Sequence, residues 1–182
     1  MTSSQKHQAA RALGAYWEEA FARLAIEAGF SLTLHQSGRR GAARLLVPAE
    51  GGYRGMPLPD VTIWTSPVSH HEIKHKNPTD GGNYGLEVYR FNALTRLYKE
   101  TGERVMYTIH DWTRLGRDNR QCEIEDWVTA SVRYLATCIK KTKDGYSYVD
   151  GQWEIVPIHL WPKDVFRPLT GFWRHVRSGG AS

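Results

Sequence analysis

The sequence predicts an α/β fold in which helices flank a central sheet, and three observations carry that prediction. Apolar residues recur at helical spacing in Leu13, Trp17, Phe21, Leu24 and Ala28. They do so again in Tyr84, Val88, Phe91, Leu94 and Tyr98. Between and after these stretches lie short segments with the alternation of strands, at 60–64, 70–76 and 104–110. Helices interleaved with strands, rather than strand after strand, point to layers of helix on sheet. At 182 residues the chain has the length of one domain with a real core.

The first helix is expected over 8–28, and Gly29 stops it. At 100° per residue Glu19 falls nearly opposite the apolar stripe and Glu18 about 95° from it. Glu19 therefore faces water, while Glu18 sits at the stripe edge, where a carboxylate reaches over the sheet. A first strand follows near 31–35. Residues 36–58 then carry Arg39, Arg40, Arg44 and Arg54 against the single acid Glu50, with five glycines interspersed, and read as a mobile basic loop leading into Asp60. Next come a strand from Asp60, a turn at Thr65-Ser66-Pro67, and a strand bearing Glu72 and Lys74.

After a turn-rich stretch at 77–83, a helix is expected over 84–101, ended by Gly102. It serves as the crossover to the strand 104–110, which should lie parallel beside the Glu72 strand. Farther on, 125–141 reads as a helix, 146–149 and 153–160 as a hairpin turning at Asp150-Gly151, and 162–173 as a closing segment. This tail is too apolar to be disordered and too small to fold alone, so it should extend the same sheet. The expected organisation is one domain over 1–182, with a core at about 9–116, an α+β extension at about 117–176 and a disordered tail at 177–182.

The chemistry concentrates around Asp60. Glu72 and Lys74 are two residues apart and share one strand face. Folding the hairpin about Ser66 sets Asp60 opposite Glu72; folding it about Pro67 sets Asp60 opposite Lys74. Opposed side chains have Cβ atoms roughly 5 Å apart, so either register gathers all three groups. Two carboxylates that close repel unless a cation lies between them, and their hard oxygens suit Mg²⁺, with Mn²⁺ as a substitute.

Asp60 with Glu72-Ile73-Lys74 resembles the PD-(D/E)xK nuclease superfamily. The helix signature Gly14-x-x-x-Glu18 followed by Gly29-Phe30 looks like the first helix of archaeal Holliday junction resolvases and related phage nucleases. The resemblance spans about 14–112, and it implies a restriction-endonuclease-like αβββαβ core whose mixed central sheet is flanked by helices. It implies further that Asp60, Glu72, the carbonyl of Ile73 and Glu18 serve a metal, that Lys74 orients or activates the attacking water, and that the substrate is DNA. Branched or junction DNA, and a homodimer with two sites, belong to the resolvase branch of that resemblance.

A net charge of +5 favours a polyanionic partner. Arg39, Arg40, Arg44 and Arg54 would draw phosphates beside the site, Ser37 stands where such loops often carry a serine, and Lys76, on the face of Lys74, is a phosphate contact. Glu87, Tyr84 and His70 are candidates for a supporting shell around the metal, and Asn92 for a DNA contact. His71 and His75 point to the opposite face, and the histidine spacing matches no closed zinc set. Arg133, Lys140, Lys141 and Lys143 read as cations decorating a helix end. Cys122 and Cys138 form no C-x-x-C pair and are expected to be reduced thiols. No apolar stretch approaches the length of a membrane span, and nothing reads as a signal peptide, so a cytoplasmic protein is expected. Restriction-type cleavage, exonucleolytic repair and non-catalytic DNA binding would need the same core.

Overall fold

The computed structural model of the chain describes residues 3–35, 44–50, 52–79, 81–149 and 152–179. Helix α1 (Ser3–Glu27) starts earlier than the apolar pattern alone indicates. Its stripe is as expected: Trp17 and Phe21 are fully buried, and Leu13 and Leu24 half-buried. The helix ends where Gly29 turns left-handed at φ 84° and the Phe30 amide donates to the Ala25 carbonyl at 3.0 Å.

Strand β1 (Leu32–Leu34) is followed by a two-stranded ribbon, β2 (Arg44–Ala49) with β3 (Gly52–Pro57), then by β4 (Val61–Ile63) and β5 (Ser69–Lys76). Next come β6 (Asn83–Glu87), helix α2 (Val88–Thr101) and β7 (Arg104–Asp111), and then β8 (Trp127–Ser131) and helix α3 (Val132–Leu135). The chain continues through β9 (Lys141–Val149), β10 (Gln152–Pro162), β11 (Arg167–Pro168) and helix α4 (Leu169–Arg177). The main sheet has six strands in the order β1-β4-β5-β7-β8-β11. It is mixed: β5 and β7 run parallel across the α2 crossover, and the other neighbours are antiparallel. Through α1, β1, β4, β5, α2 and β7 it follows the expected αβββαβ order, with helices on both faces.

One face packs against α1 and α4 through Trp17, Phe21, Val61, Ile73, Trp127 and Trp173. The other packs against α2 and α3 through Phe91, Leu94, Leu97, Tyr107, Ile109 and Leu135. Each large apolar side chain so buried contributes on the order of 1.5–3 kcal/mol. The sheet is therefore held on both faces, and its open end beyond β4 is free to carry polar groups.

The structure departs from the sequence pattern in five places. Helix α2 starts at Val88, because 83–87 is a strand pairing with β10, Tyr84 opposite Trp161. Gly85 permits that contact, since a Cβ there would lie 2.9 Å from the Ile158 and Leu160 side chains. The helix expected over 125–141 is a single 3₁₀ turn (Ile124–Asp126), then β8 and the short α3, capped where Ser131 Oγ accepts the Tyr134 amide at 3.2 Å. Lys141 and Lys143 thus stand exposed on β9, the edge of a three-stranded sheet β6-β10-β9, where lysines discourage further pairing. Only β8 and β11 of the tail extend the main sheet. Finally, 44–57 is not a loop but a hairpin that buries Val47 and Met56. The expected tail at 177–182 includes Arg177, which ends α4; 180–182 lie outside the described residues, as do 150–151.

Candidate active site

The β4–β5 register pairs Val61 with His71, Thr62 with His70 and Ile63 with Ser69. One step beyond β4 the same register sets Asp60 against Glu72, which is the fold about Ser66. Both carboxylates are 1% exposed. Asp60 Oδ2 accepts the Ile73 amide at 2.7 Å, so the backbone of the facing strand fixes its orientation. The Lys74 ammonium donates to Glu72 Oε1 and to the Ile73 carbonyl, the latter at 3.1 Å. Arg90, from the first turn of α2, brings Nη1 to 3.0 Å from the same Glu72 oxygen. Burial opposes the charge on Glu72, but Lys74 and Arg90 together hold its carboxyl below the usual range. Lys74 is held above its ordinary value, because the pull of Glu72 outweighs burial and Arg90.

Glu18 is half-buried and Glu19 exposed, as the helical phase requires. Glu18 lines a cleft of about 250 Å³ with Gly14, Ile73, Lys74, His75 and Arg117. Burial, and then the negative charges of Asp60 and Glu72, push its carboxyl up to about 7, with Lys74 and Arg90 opposing. It is thus close enough to feel both acids, yet has no cation of its own strong enough to offset its burial.

These residues suit a hard divalent cation in one respect. Lys74 Nζ bridges a Glu72 oxygen and the Ile73 carbonyl, so a positive group already sits between two oxygens of the implied donor set. Among the described residues no three His, Cys, Asp or Glu side chains converge closely enough to hold an ion among themselves. The donors that fit are accordingly two carboxylates and one carbonyl, with Glu18 at the rim.

Several expected participants are engaged elsewhere. Lys76 does not reach out to solvent: its Nζ donates to the Gly85 carbonyl at 2.5 Å and lies 5.7 Å from the Tyr107 ring. Burial pushes its pKa down to about 8 against the pull of Glu87. Tyr84 is buried in β6 and donates to Asp111 Oδ2 at 2.6 Å. His70 shares the Glu72 face, but its ring nitrogens face Thr62 Oγ1 at 2.8 Å and Glu103 Oε2 at 2.7 Å, away from the acids. Glu87 precedes the first turn of α2 and accepts from Ser147 Oγ at 3.2 Å. Burial opposes its charge, but its own backbone amide, Lys76, Lys74 and Arg90 keep its carboxyl low. It belongs to the electrostatic surroundings of the site without touching Asp60 or Glu72. Arg44 and Arg54 are exposed on the hairpin, Arg54 paired with Glu100. Ser37, Arg39 and Arg40 lie outside the described residues. His71 and His75 pack on the opposite face, against Phe21 and Trp17 respectively.

Two residues escaped the sequence reading. Arg90 was hidden by the misplaced start of α2, although four acids near Lys74 and Lys76 signalled that a further cation was needed. Arg117 belongs to the repeated spacing Arg114, Arg117, Arg120 in the turn-rich stretch after β7. Its carbonyl accepts from His75 Nε2 at 3.0 Å, which fixes the backbone beside the Glu18 cleft.

No family model and no curated protein matches this chain. Among solved structures, Hjc, a Holliday junction resolvase from the archaeal hyperthermophile Archaeoglobus fulgidus, is similar over 93% of this chain and 98% of that one. The identity is 12% and the TM-score 0.48. At those values no residue role passes from one chain to the other.

Proposed function

We propose that this chain is a Mg²⁺-dependent deoxyribonuclease of the PD-(D/E)xK type. The observation that supports it most is the register placing Asp60 against Glu72 with Lys74 on the same face, three groups with no apolar packing role, two of them buried carboxylates. Burying two acids beside a half-buried lysine at a sheet end is expensive unless they serve chemistry or one another. Asp60, Glu72 and the Ile73 carbonyl would hold the ion, which when bound supplies charge neutralisation at the phosphate and a more acidic water. Asp60 is oriented for this by the Ile73 amide, and Glu72 by Arg90. Lys74, once released from Glu72, presents an ammonium that holds the attacking water and offsets charge developing on the phosphate. Glu18, carrying the raised pKa, accepts or holds a proton at the cleft rim.

The finer reading is an endonuclease that prefers branched or junction DNA and acts as a homodimer in recombination, repair or phage replication. It is supported by the resolvase-like pattern Gly14-x-x-x-Glu18 and by the position of Glu18 at the site, and it rests on analogy. Incubating the protein and its Lys74→Ala variant with Mg²⁺ and a four-way junction, a flap, a single strand and a plain duplex tests both levels. Loss of every substrate's cleavage in the variant supports the nuclease, and preference for the junction supports the resolvase branch. Equal cutting of junction and duplex by a strict monomer leaves a restriction-type or exonucleolytic enzyme. No cutting of any substrate by the wild-type protein leaves a DNA-binding scaffold.

A further inference from the structure

A groove of about 500 Å³ runs between β3 and α2. Its helix wall presents Tyr89, Asn92 and Arg96, which the spacing i, i+3, i+7 puts on one face, opposite the buried Phe91, Leu94 and Leu97. Arg54, Met56 and Pro57 form the facing wall, and Met56 is buried. Tyr89 is 51% exposed, a large aromatic held at the surface by a rigid helix. Among the described residues Arg96 has no carboxylate partner, whereas Arg54 is paired with Glu100. Both walls of the groove lead along the chain to the candidate site: Arg90, next to Tyr89, contacts Glu72, and β3 runs out at Pro57, three residues before Asp60.

We propose that this groove seats an unpaired nucleotide adjoining the cut, its base stacked on Tyr89, its edge met by Asn92 and its phosphate by Arg96. The inference rests on the nuclease reading for the location of the cut. A duplex offers the groove its phosphate backbone, to which the Tyr89 hydroxyl can donate, but leaves the ring face without a partner. A splayed base offers a π-face to stack and needs no particular sequence to do so. The volume suits one nucleotide, and the cation and amide flanking the ring supply what a phosphate and a base edge require. The substrate class that follows is DNA with a boundary between double and single strand, such as a fork, a flap or an opened branch point.

The test uses the full chain and a forked duplex whose oligothymidine arm carries one 2-aminopurine, with Ca²⁺ in place of Mg²⁺ so that binding is read without turnover. Wild-type protein should quench the 2-aminopurine and bind the fork more tightly than a blunt duplex. Tyr89→Ala should abolish the quench and weaken fork binding about tenfold while leaving the blunt duplex unchanged. Tyr89→Phe should restore both. Arg96→Ala should weaken fork binding and flatten its salt dependence by about 0.7 log units, the slope that one neutralised phosphate of a single strand contributes. A wild-type quench in Tyr89→Ala, or equal weakening on fork and blunt duplex, overturns the proposal. Cleavage separates it from the reading beneath it: quenching through Tyr89 in a protein that cuts no DNA with Mg²⁺ would sink the nuclease assignment and leave the groove standing. Cutting combined with unaltered fork binding by Tyr89→Ala would remove the groove alone.

Discussion

Arg90 Nη1 stands 3.0 Å from Glu72 Oε1, the same oxygen that takes the Lys74 ammonium. One buried carboxylate is thus held by two cations from different elements, a strand neighbour and the first turn of α2. Glu72 cannot swing away when Lys74 leaves it, because Arg90 remains. That arrangement allows the lysine to act elsewhere without stranding the acid.

The first prediction follows from this division of labour. Asp60→Asn, Glu72→Gln and Lys74→Ala should each lower single-turnover cleavage with Mg²⁺ by about a hundredfold or more, the scale of losing an essential catalytic group. Arg90→Ala acts chiefly through Glu72, its one ion-pair partner among the described residues, and should cost about tenfold. Thermal melting of each variant establishes that the fold persists. Near-wild-type cutting by Glu72→Gln would remove the assignment of the site.

Adjacent glutamates on α1 give the second prediction. Glu18 lines the cleft and Glu19 is exposed, about 100° away around the helix. Glu18→Gln should impair metal-dependent cleavage. Glu19→Gln should leave activity intact and change stability by no more than about 0.5 kcal/mol. The reverse ranking in a cleavage assay would mean that the cleft is not where the chemistry occurs.

Both of these relationships were legible in the sequence for the same reason: each depends on a local period. The helix phase separates Glu18 from Glu19, and the two-residue period of a hairpin brings Asp60 to Glu72, although the sequence alone left two registers open. What it hid depends on distant partners. Tyr84 and Val88 fit a helical stripe, but Tyr84 and Leu86 fit an alternating strand equally well, and only the arrival of β10 decides for the strand. Arg90 was hidden by the same ambiguity, since its place on the first turn of α2 exists only if the helix starts at Val88. The β2–β3 hairpin was masked by Gly51, Gly52, Gly55, Pro48 and Pro57, which read as breakers, although both strands of a two-stranded ribbon are edges and tolerate them.

The third prediction concerns the ion. EDTA should abolish cleavage and added Mg²⁺ or Mn²⁺ should restore it, because two carboxylates and a carbonyl offer only hard oxygens. Ca²⁺, larger and looser in coordination, should support binding without turnover. Isothermal titration of Mn²⁺ into the protein reads the same site without DNA, and Asp60→Asn should weaken it. Restoration by Zn²⁺ but not by Mg²⁺ would shift the chemistry to the histidines.

The last prediction concerns acid stability, and it arises on the face of the sheet away from the acids. His110 stacks on Trp17 with ring centroids 3.7 Å apart and brings Nδ1 to 2.9 Å from His75 Nδ1. Burial, and then His75, push its pKa down to about 4, and burial pushes that of His71 down to about 3. In the unfolded chain both titrate near 6.5. Between about 6.5 and 4 the unfolded state therefore binds protons that the folded state refuses, so stability should fall as pH falls through that window, by up to about 1.4 kcal/mol per pH unit for each histidine. The carboxylates behave differently: Glu18, its carboxyl pushed up to about 7, takes up its proton first in the folded state and offsets part of the histidine decline, whereas Glu72, Glu87 and Asp111 have lowered pKa values, so their contribution is present above the ordinary carboxylate range and is lost only below about 4.5. Urea midpoints measured from pH 7 to pH 5 should thus decline before any of these three carboxylates titrates, and His110→Phe, which keeps the stack on Trp17 and removes the imidazole, should flatten the decline. A midpoint that stays level down to pH 5 would show that these rings accept their protons in the folded state.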